Sequence, residues 1–97
     1  SWAKTLSNEL GAYGITVNNV LPGATATGRL EAIIGNKAGK TGISREAVEQ
    51  EMLEEIPARR FGKPEEIAAV AAFLATPAAA YVNGASIPVD GGRTGTI

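Results

Sequence analysis

The sequence predicts an α/β fold in which two parallel strands are joined by a helical connection. Two short segments, 15–21 and 85–89, are rich in strand-forming residues, and each ends at a turn that contains glycine. The long segment between them has helical patterns, and a strand, a helical crossover and a second strand usually form a parallel pair. Because two parallel strands alone do not form a stable sheet, we expect them to be the edge of a larger one.

Composition narrows the possible chemistry before any motif is considered. The 97 residues suffice for at most one small domain, and a net charge of −1 without a basic stripe argues against nucleic acid as a partner. The absence of cysteine and histidine excludes disulfides, thiolate and imidazole chemistry, and we expect no metal site. No apolar run approaches a membrane span and the first residues do not resemble a signal peptide, so we expect a cytoplasmic protein without a membrane partner.

The first helix is predicted over residues 1–13. Trp2, Leu6, Leu10 and Tyr13 are spaced three and four residues apart, as on one face of a helix. The chain begins without Met and without an N-cap, so we expect that its first residue is not the natural N-terminus.

The connection between the strands is predicted to contain further helices. Residues 25–34 have the pattern of a short helix, and the polar, glycine-rich segment 35–42 is predicted to be a mobile loop. Ser44 is an expected N-cap for a helix over 45–55, which Pro57 ends.

A last helix is predicted to begin at Pro64, which suits the first helical position. Its apolar residues form a strong core stripe, made of Ile67, Val70, Ala71 and Leu74. Thr76-Pro77 ends the helix, and one further turn is expected over 78–81. Pro88 has no backbone N–H to donate, which places the second strand at a sheet edge.

The carboxyl end of the first strand is the candidate binding element, because ligands of parallel sheets bind there. The break at Pro22-Gly23 frees the N–H groups of Ala24 and Thr25, which could hold an amide or a phosphate together with the hydroxyls of Thr25 and Thr27. The same residues are standard turn formers, so the pattern by itself favours an ordinary strand-to-helix turn over a binding element. The two asparagines at 18–19 are interpreted as side-chain amides that tie neighbouring loops together.

Four segments, in this order, resemble the C-terminal part of a short-chain dehydrogenase/reductase, closest to the 3-oxoacyl-[acyl-carrier-protein] reductase-like branch. They span nearly the whole chain, and as a set they are specific. The segments are 3–18, Val20-Leu21-Pro22-Gly23 with Thr25 and Thr27, Arg60-Phe61-Gly62-Lys63-Pro64-Glu65-Glu66-Ile67-Ala68, and 81–92 ending in Asp90-Gly91-Gly92.

The resemblance implies the C-terminal portion of a Rossmann-type, doubly wound parallel sheet and hydride transfer between a carbonyl and an alcohol. The cofactor would be NADP or NAD. In the family the Pro-Gly segment lies against the nicotinamide. Carried over, the expected cofactor contacts are Pro22, Gly23, Ala24, Thr25 and Thr27.

The segment from about 25 to 56 corresponds to the family's variable substrate lid. Arg29, Leu30 and Ile33 are candidates for contact with a small carbonyl or alcohol substrate, an acyl thioester among the options, and packing within the lid is the alternative. The last strand pairs across a subunit interface in the family, so we expect a homo-oligomer, a tetramer or a dimer.

The family's glycine-rich nucleotide loop and its catalytic Ser and Tyr-x-x-x-Lys precede the matching segments. Tyr13 has Val17 four residues later and Tyr81 has Ala85, so neither tyrosine completes that motif. We therefore assign no catalytic residue and interpret 1–97 as the C-terminal segment of one NAD(P)-binding domain whose nucleotide-binding half is absent. The chain alone is expected to be inactive. The alternatives are a half-domain or binding module that pairs with another chain, and a relative that has lost catalysis.

Overall fold

A computed structural model describes residues 2–94, which contain four α-helices and two β-strands. The helices are α1 (Trp2–Leu10), α2 (Gly28–Thr41), α3 (Arg45–Glu54) and α4 (Pro64–Leu74), and the strands are β1 (Asn19–Pro22) and β2 (Ser86–Val89). A 3₁₀ turn at Gly11–Tyr13 follows α1, and another at Pro77–Ala79 follows α4. Within this range, no helix is both long and apolar enough to cross a membrane.

The strands β1 and β2 pair in parallel, as predicted from the order of elements. Asn19 lies opposite Ser86, and the register runs to Pro22 opposite Val89. The three helices α2, α3 and α4 form the connection between the paired strands. This arrangement brings the carboxyl ends of β1 and β2 side by side, where the candidate site lies.

The first strand is shorter than predicted, because residues 15–18 extend the chain without joining the ladder. The N–H of Val17 donates to the side-chain oxygen of Asn83 (3.0 Å), and the carbonyl of Val17 accepts from the N–H of Gly84 (2.9 Å). The Asn18 amide donates to the carbonyl of Val82 (3.1 Å) and accepts from the N–H of Ala85 (3.0 Å). The prediction that this asparagine ties loops together is therefore confirmed.

The predicted loop over 35–42 is wrong, because α2 continues through it to Thr41. Leu30, Ile34 and Ala38 recur every fourth residue on the side that packs against α3. Burial of that stripe offsets the weak helix propensity of the glycines within α2. Gly42, with φ 74°, ends the helix, and its N–H donates to the carbonyl of Ala38.

The main core lies in the α2–α3 hairpin. Ile34 and Val48 are fully buried and Leu30 nearly so, and Phe61 packs against this cluster. The Ser44 hydroxyl accepts from the N–H of Ala47 (3.1 Å), so the predicted N-cap of α3 is confirmed.

Much of the remaining apolar surface is uncovered. Of the apolar stripe predicted over residues 1–13, Trp2 and Tyr13 are 76% and 78% exposed, whereas Leu6 and Leu10 are half-buried. The fully buried residues of α1 are Ala3 and Ser7. No residue of α4 is fully buried. The radius of gyration is 16.9 Å, against about 13 Å for a compact domain of about 100 residues.

Candidate functional site

The segment after β1 is fixed first at Gly23. Its N–H donates to the carbonyl of Val89 (3.0 Å), which extends the parallel pairing by one bond. A Cβ on Gly23 would lie 2.6 Å from the Cβ of Asp90 and 2.7 Å from its Cα. Only glycine allows the chain to pass this closely beside the end of β2, because backbone on the opposite side cannot move away.

The next residues pair with Gly62 in the connector before α4. The N–H of Gly62 donates to the carbonyl of Ala24 (2.9 Å), and the N–H of Ala26 donates to the carbonyl of Gly62 (2.8 Å). These bonds form an isolated parallel bridge between Thr25 and Gly62. The segment is thus held on one edge, while its other edge stays open.

The segment contains the backbone donors that the sequence predicted. In residues 2–94, no group accepts a hydrogen bond from the N–H of Ala24 or Thr25. The Thr25 hydroxyl donates to the carbonyl of Gly23 (3.0 Å). The Thr27 hydroxyl donates to the carbonyl of Thr25 (3.3 Å) and accepts from the N–H of Leu30 (3.3 Å), where it caps α2.

A cavity of about 660 Å³ opens beside this segment, between β1, α2 and α4. All eight residues predicted to contact cofactor or substrate line it. Arg29 and Ile33 are exposed, whereas Leu30 also belongs to the core of the hairpin. The structure therefore brings the predicted residues to one place, which their sequence spacing alone did not require.

Pro64, Ile67 and Ala68 complete the lining, and sequence analysis did not assign them to the site. Ile67 was predicted as part of a core stripe, and nothing in the sequence indicates that the start of α4 faces the Pro-Gly segment. The bridge to Gly62 produces this arrangement, and such a non-local pairing leaves no local pattern.

A second cavity of about 350 Å³ uses the other side of the same wall. It shares Pro22, Gly23 and Ala24 with the first cavity and adds residues from the end of α3, from the segment directly after it and from the turn after β2. An ion pair between Arg93 and Glu55 (2.9 Å) joins that segment to the turn.

Two carboxylates near the cavities titrate below their usual range. The pKa of Glu66 is lowered to about 2, mainly by a hydrogen bond from the Arg60 side chain. A hydrogen bond from the Thr94 side chain is the main cause that lowers the pKa of Asp90, with help from backbone N–H groups. Both groups hold local turns in place, and neither is poised to exchange a proton near neutral pH.

The family model for enoyl-(acyl carrier protein) reductase matches residues 1–94. The NADPH-dependent reductase BacG of Bacillus subtilis is 40% identical over 95 residues, which are 98% of this chain and 37% of that protein. A short-chain dehydrogenase family protein of Francisella tularensis has a solved structure that matches with a TM-score of 0.91 and 34% identity, over 98% of this chain and 39% of that one.

A third match is an Agrobacterium tumefaciens protein assigned as a 2-deoxy-D-gluconate 3-dehydrogenase and solved with bound NADP. It is 40% identical with a TM-score of 0.82, over 98% of this chain and 35% of that one. This chain thus spans little more than a third of the length of these relatives. The matched fold and family model confirm the predicted resemblance: the chain belongs to the short-chain dehydrogenase/reductase family, and its α/β structure is a part of that family's Rossmann fold.

Proposed function

We propose that this chain forms one wall of the nicotinamide site, the substrate lid and part of the oligomer interface of an NAD(P)-dependent oxidoreductase. The parent protein would interconvert a carbonyl and an alcohol by hydride transfer. The observation that supports this most is the single cavity lined by all eight predicted residues at the carboxyl end of β1. Ligands of parallel sheets bind at that position.

The residues present fit a nicotinamide ring with its carboxamide. Pro22 and Ala24 offer apolar contact for a ring face, and the unbonded N–H of Thr25 suits the carboxamide oxygen. Because the Gly62 bridge holds the segment, these groups would need little reorganisation on binding. The bound cofactor would supply the hydride, and the residues of this chain would orient its ring.

NADP is the favoured cofactor of the two. One relative is named an NADPH-dependent reductase, and another was solved with bound NADP. Proton exchange with the substrate oxygen would come from groups outside these residues, since neither tyrosine completes the family's Tyr-x-x-x-Lys motif. The 97 residues alone are accordingly proposed to be inactive.

Two neighbouring alanines of α4 give a matched test in the protein that contains this chain. Ala68 lines the cavity and is exposed within it, while Ala69 is exposed on the same helix and does not line it. We expect Ala68→Phe to fill the cavity and raise the Kd for NADPH about tenfold or more, and Ala69→Phe to leave it within about twofold. Isothermal titration calorimetry measures both values. Equal NADPH affinity of the two variants and the wild type would refute the proposed cofactor site.

A binding module that pairs with another chain is the second candidate. In the described range β1 pairs only with β2, so its other edge is free, and the side chain of Leu21 in this strand is 45% exposed. Such an edge favours pairing with a further strand. The purified protein distinguishes the two functions: reduction of any carbonyl with NADPH supports the enzyme, whereas NADPH binding without turnover and without Tyr-x-x-x-Lys in the assembled protein supports the module.

A further inference from the structure

Arg29 places a single formal charge in the cavity beside the Pro-Gly segment. The residues that line this cavity include no Asp, Glu or Lys and no second arginine. The rest of the lining is apolar, apart from backbone groups and two threonines. The cavity therefore has a local charge of +1 in mostly apolar surroundings.

The other four arginines are already engaged. Arg45 pairs with Glu31, Arg60 with Glu66 (2.6 and 2.7 Å), Arg93 with Glu55 (2.9 Å), and Arg59 donates to the carbonyl of Glu54 (2.6 Å) at the end of α3. By contrast, the side chain of Arg29 forms no ion pair or hydrogen bond with any residue of 2–94. Its five N–H donors remain available.

The threonine hydroxyls that line the same cavity already have acceptors. Thr25 donates its hydroxyl proton to the carbonyl of Gly23, and Thr27 donates to the carbonyl of Thr25. A ligand with several negative oxygens would consequently find its donors in Arg29 and in the open backbone N–H groups. Guanidinium is well suited to this task, because its planar fork binds carboxylate or phosphate through two parallel bonds.

We propose that Arg29 binds an anionic oxygen group, a phosphate or a carboxylate, of a ligand held in this cavity. The inference rests on the proposed function and deepens it. The anion has two possible sources: the phosphates of the dinucleotide cofactor, or an acidic group on the carbonyl substrate. In the second case the enzyme prefers keto acids to neutral carbonyl compounds, and Arg29 determines that specificity.

The test compares Arg29→Gln and Arg29→Lys with Lys37→Gln, which removes an exposed charge from the same helix away from the cavity. One arm measures the Kd of NADPH by calorimetry. The other arm measures NADPH oxidation with matched pairs of 2- and 3-keto acids and their amides, from which the acid-to-amide ratio of kcat/KM follows. Thermal unfolding of each variant verifies that the fold is intact.

If the anion is a phosphate of the cofactor, Arg29→Gln should raise the Kd of NADPH about tenfold or more, while Lys37→Gln should leave it unchanged. If the anion is an acidic group of the substrate, Arg29→Gln should leave the Kd of NADPH unchanged. The wild type should then prefer the acid to the amide about tenfold or more in kcat/KM, and Arg29→Gln should abolish this preference. Arg29→Lys should restore part of the effect in either case, because it keeps the charge without the fork.

The proposal is overturned if Arg29→Gln and the wild type have the same Kd for NADPH and the same acid-to-amide ratio of kcat/KM. If the wild-type protein binds neither NADPH nor NADH, the proposed function itself fails, and Arg29 loses its role with it. If Ala68→Phe weakens NADPH binding but Arg29→Gln changes neither this binding nor the preference for the acid, the inference about Arg29 is rejected. The proposed function is retained in that case.

Discussion

Gly23 is the residue at which the ends of β1 and β2 approach most closely. Because an added Cβ would meet Asp90 backbone at 2.7 Å, Gly23→Ala must push the two strand ends apart. We predict a loss of about 1–3 kcal/mol in the free energy of unfolding, the usual cost of overpacking. Urea denaturation of the protein measures this loss.

Gly39→Ala is the control for this substitution. Gly39 lies inside α2, and an added Cβ there would have no heavy atom within 4 Å. Alanine in a helix interior should stabilise the protein by about 0.5–1 kcal/mol. The two glycines should thus respond with opposite signs, and a stabilising Gly23→Ala would contradict the close approach described at the site.

The ion pair of Glu66 makes stability depend on acid pH. Arg60 contacts both carboxylate oxygens, and the pKa of Glu66 falls from 4.5 to about 2 in the folded protein. Since the folded-state pKa is below the unfolded one, this stabilisation is complete above about pH 4.5 and is lost as the pH falls toward 2. The pair is exposed, so the effect is modest and weakens in salt.

Glu66→Gln removes that dependence. We expect the variant to be less stable than the wild type at pH 7 and the difference to shrink as the pH falls below about 4.5. Denaturant unfolding of both proteins from about pH 3 to about pH 7 measures this difference in the free energy of unfolding. A gap that stays constant down to the lowest pH would show that the carboxylate contributes nothing through its charge.

At the scale of elements, the start of α3 depends on one hydroxyl. Ser44 accepts from the N–H of Ala47, and Ser44→Ala leaves that donor without its partner. We predict a loss of about 1 kcal/mol in the free energy of unfolding, and Ser44→Asp should retain most of the stability, because aspartate is an equally good cap. If both substitutions cost the same, the hydroxyl is not the cap that stabilises α3.

The starts of α3 and α4 were more predictable than the end of α2. Ser44 and Pro64 signal a start through the chemistry of a single residue, and α3 and α4 begin directly after Ser44 and at Pro64. The length of α2 has no such signal, because it depends on contact with α3 across the hairpin. Glycines at 35 and 39 favour a loop locally, and the burial of Ile34 outweighs them.

In the candidate site too, some features have a local signal in the sequence and others depend on tertiary contacts. The Pro-Gly break and the following threonines were identified from the sequence, since they combine turn chemistry with the carboxyl end of a strand. The contribution of α4 was not predictable, because it requires the bridge between Thr25 and Gly62, thirty-seven residues apart by their numbers. Local patterns together with the family resemblance therefore predicted one wall of the cavity, and tertiary pairing supplied the other.

The whole molecule is elongated, with extents of 54 × 23 × 23 Å, and leaves large apolar side chains exposed at Trp2, Tyr13, Phe73 and Tyr81. The expectation that two parallel strands need a larger sheet agrees with this surface. We propose that other parts of the assembled protein cover it, through the free edge of β1 and through subunit contacts.

The central claim is that residues 22–27 lie against the nicotinamide ring of a bound cofactor. Intermolecular nuclear Overhauser effects measure this most directly, between the ring protons of NADP and methyl groups labelled at Ala24, Thr25 and Thr27. We predict effects at these methyls and none at Ile43, which lies outside the cavity. Saturated binding of NADP without effects at any of the three methyls would contradict the claim.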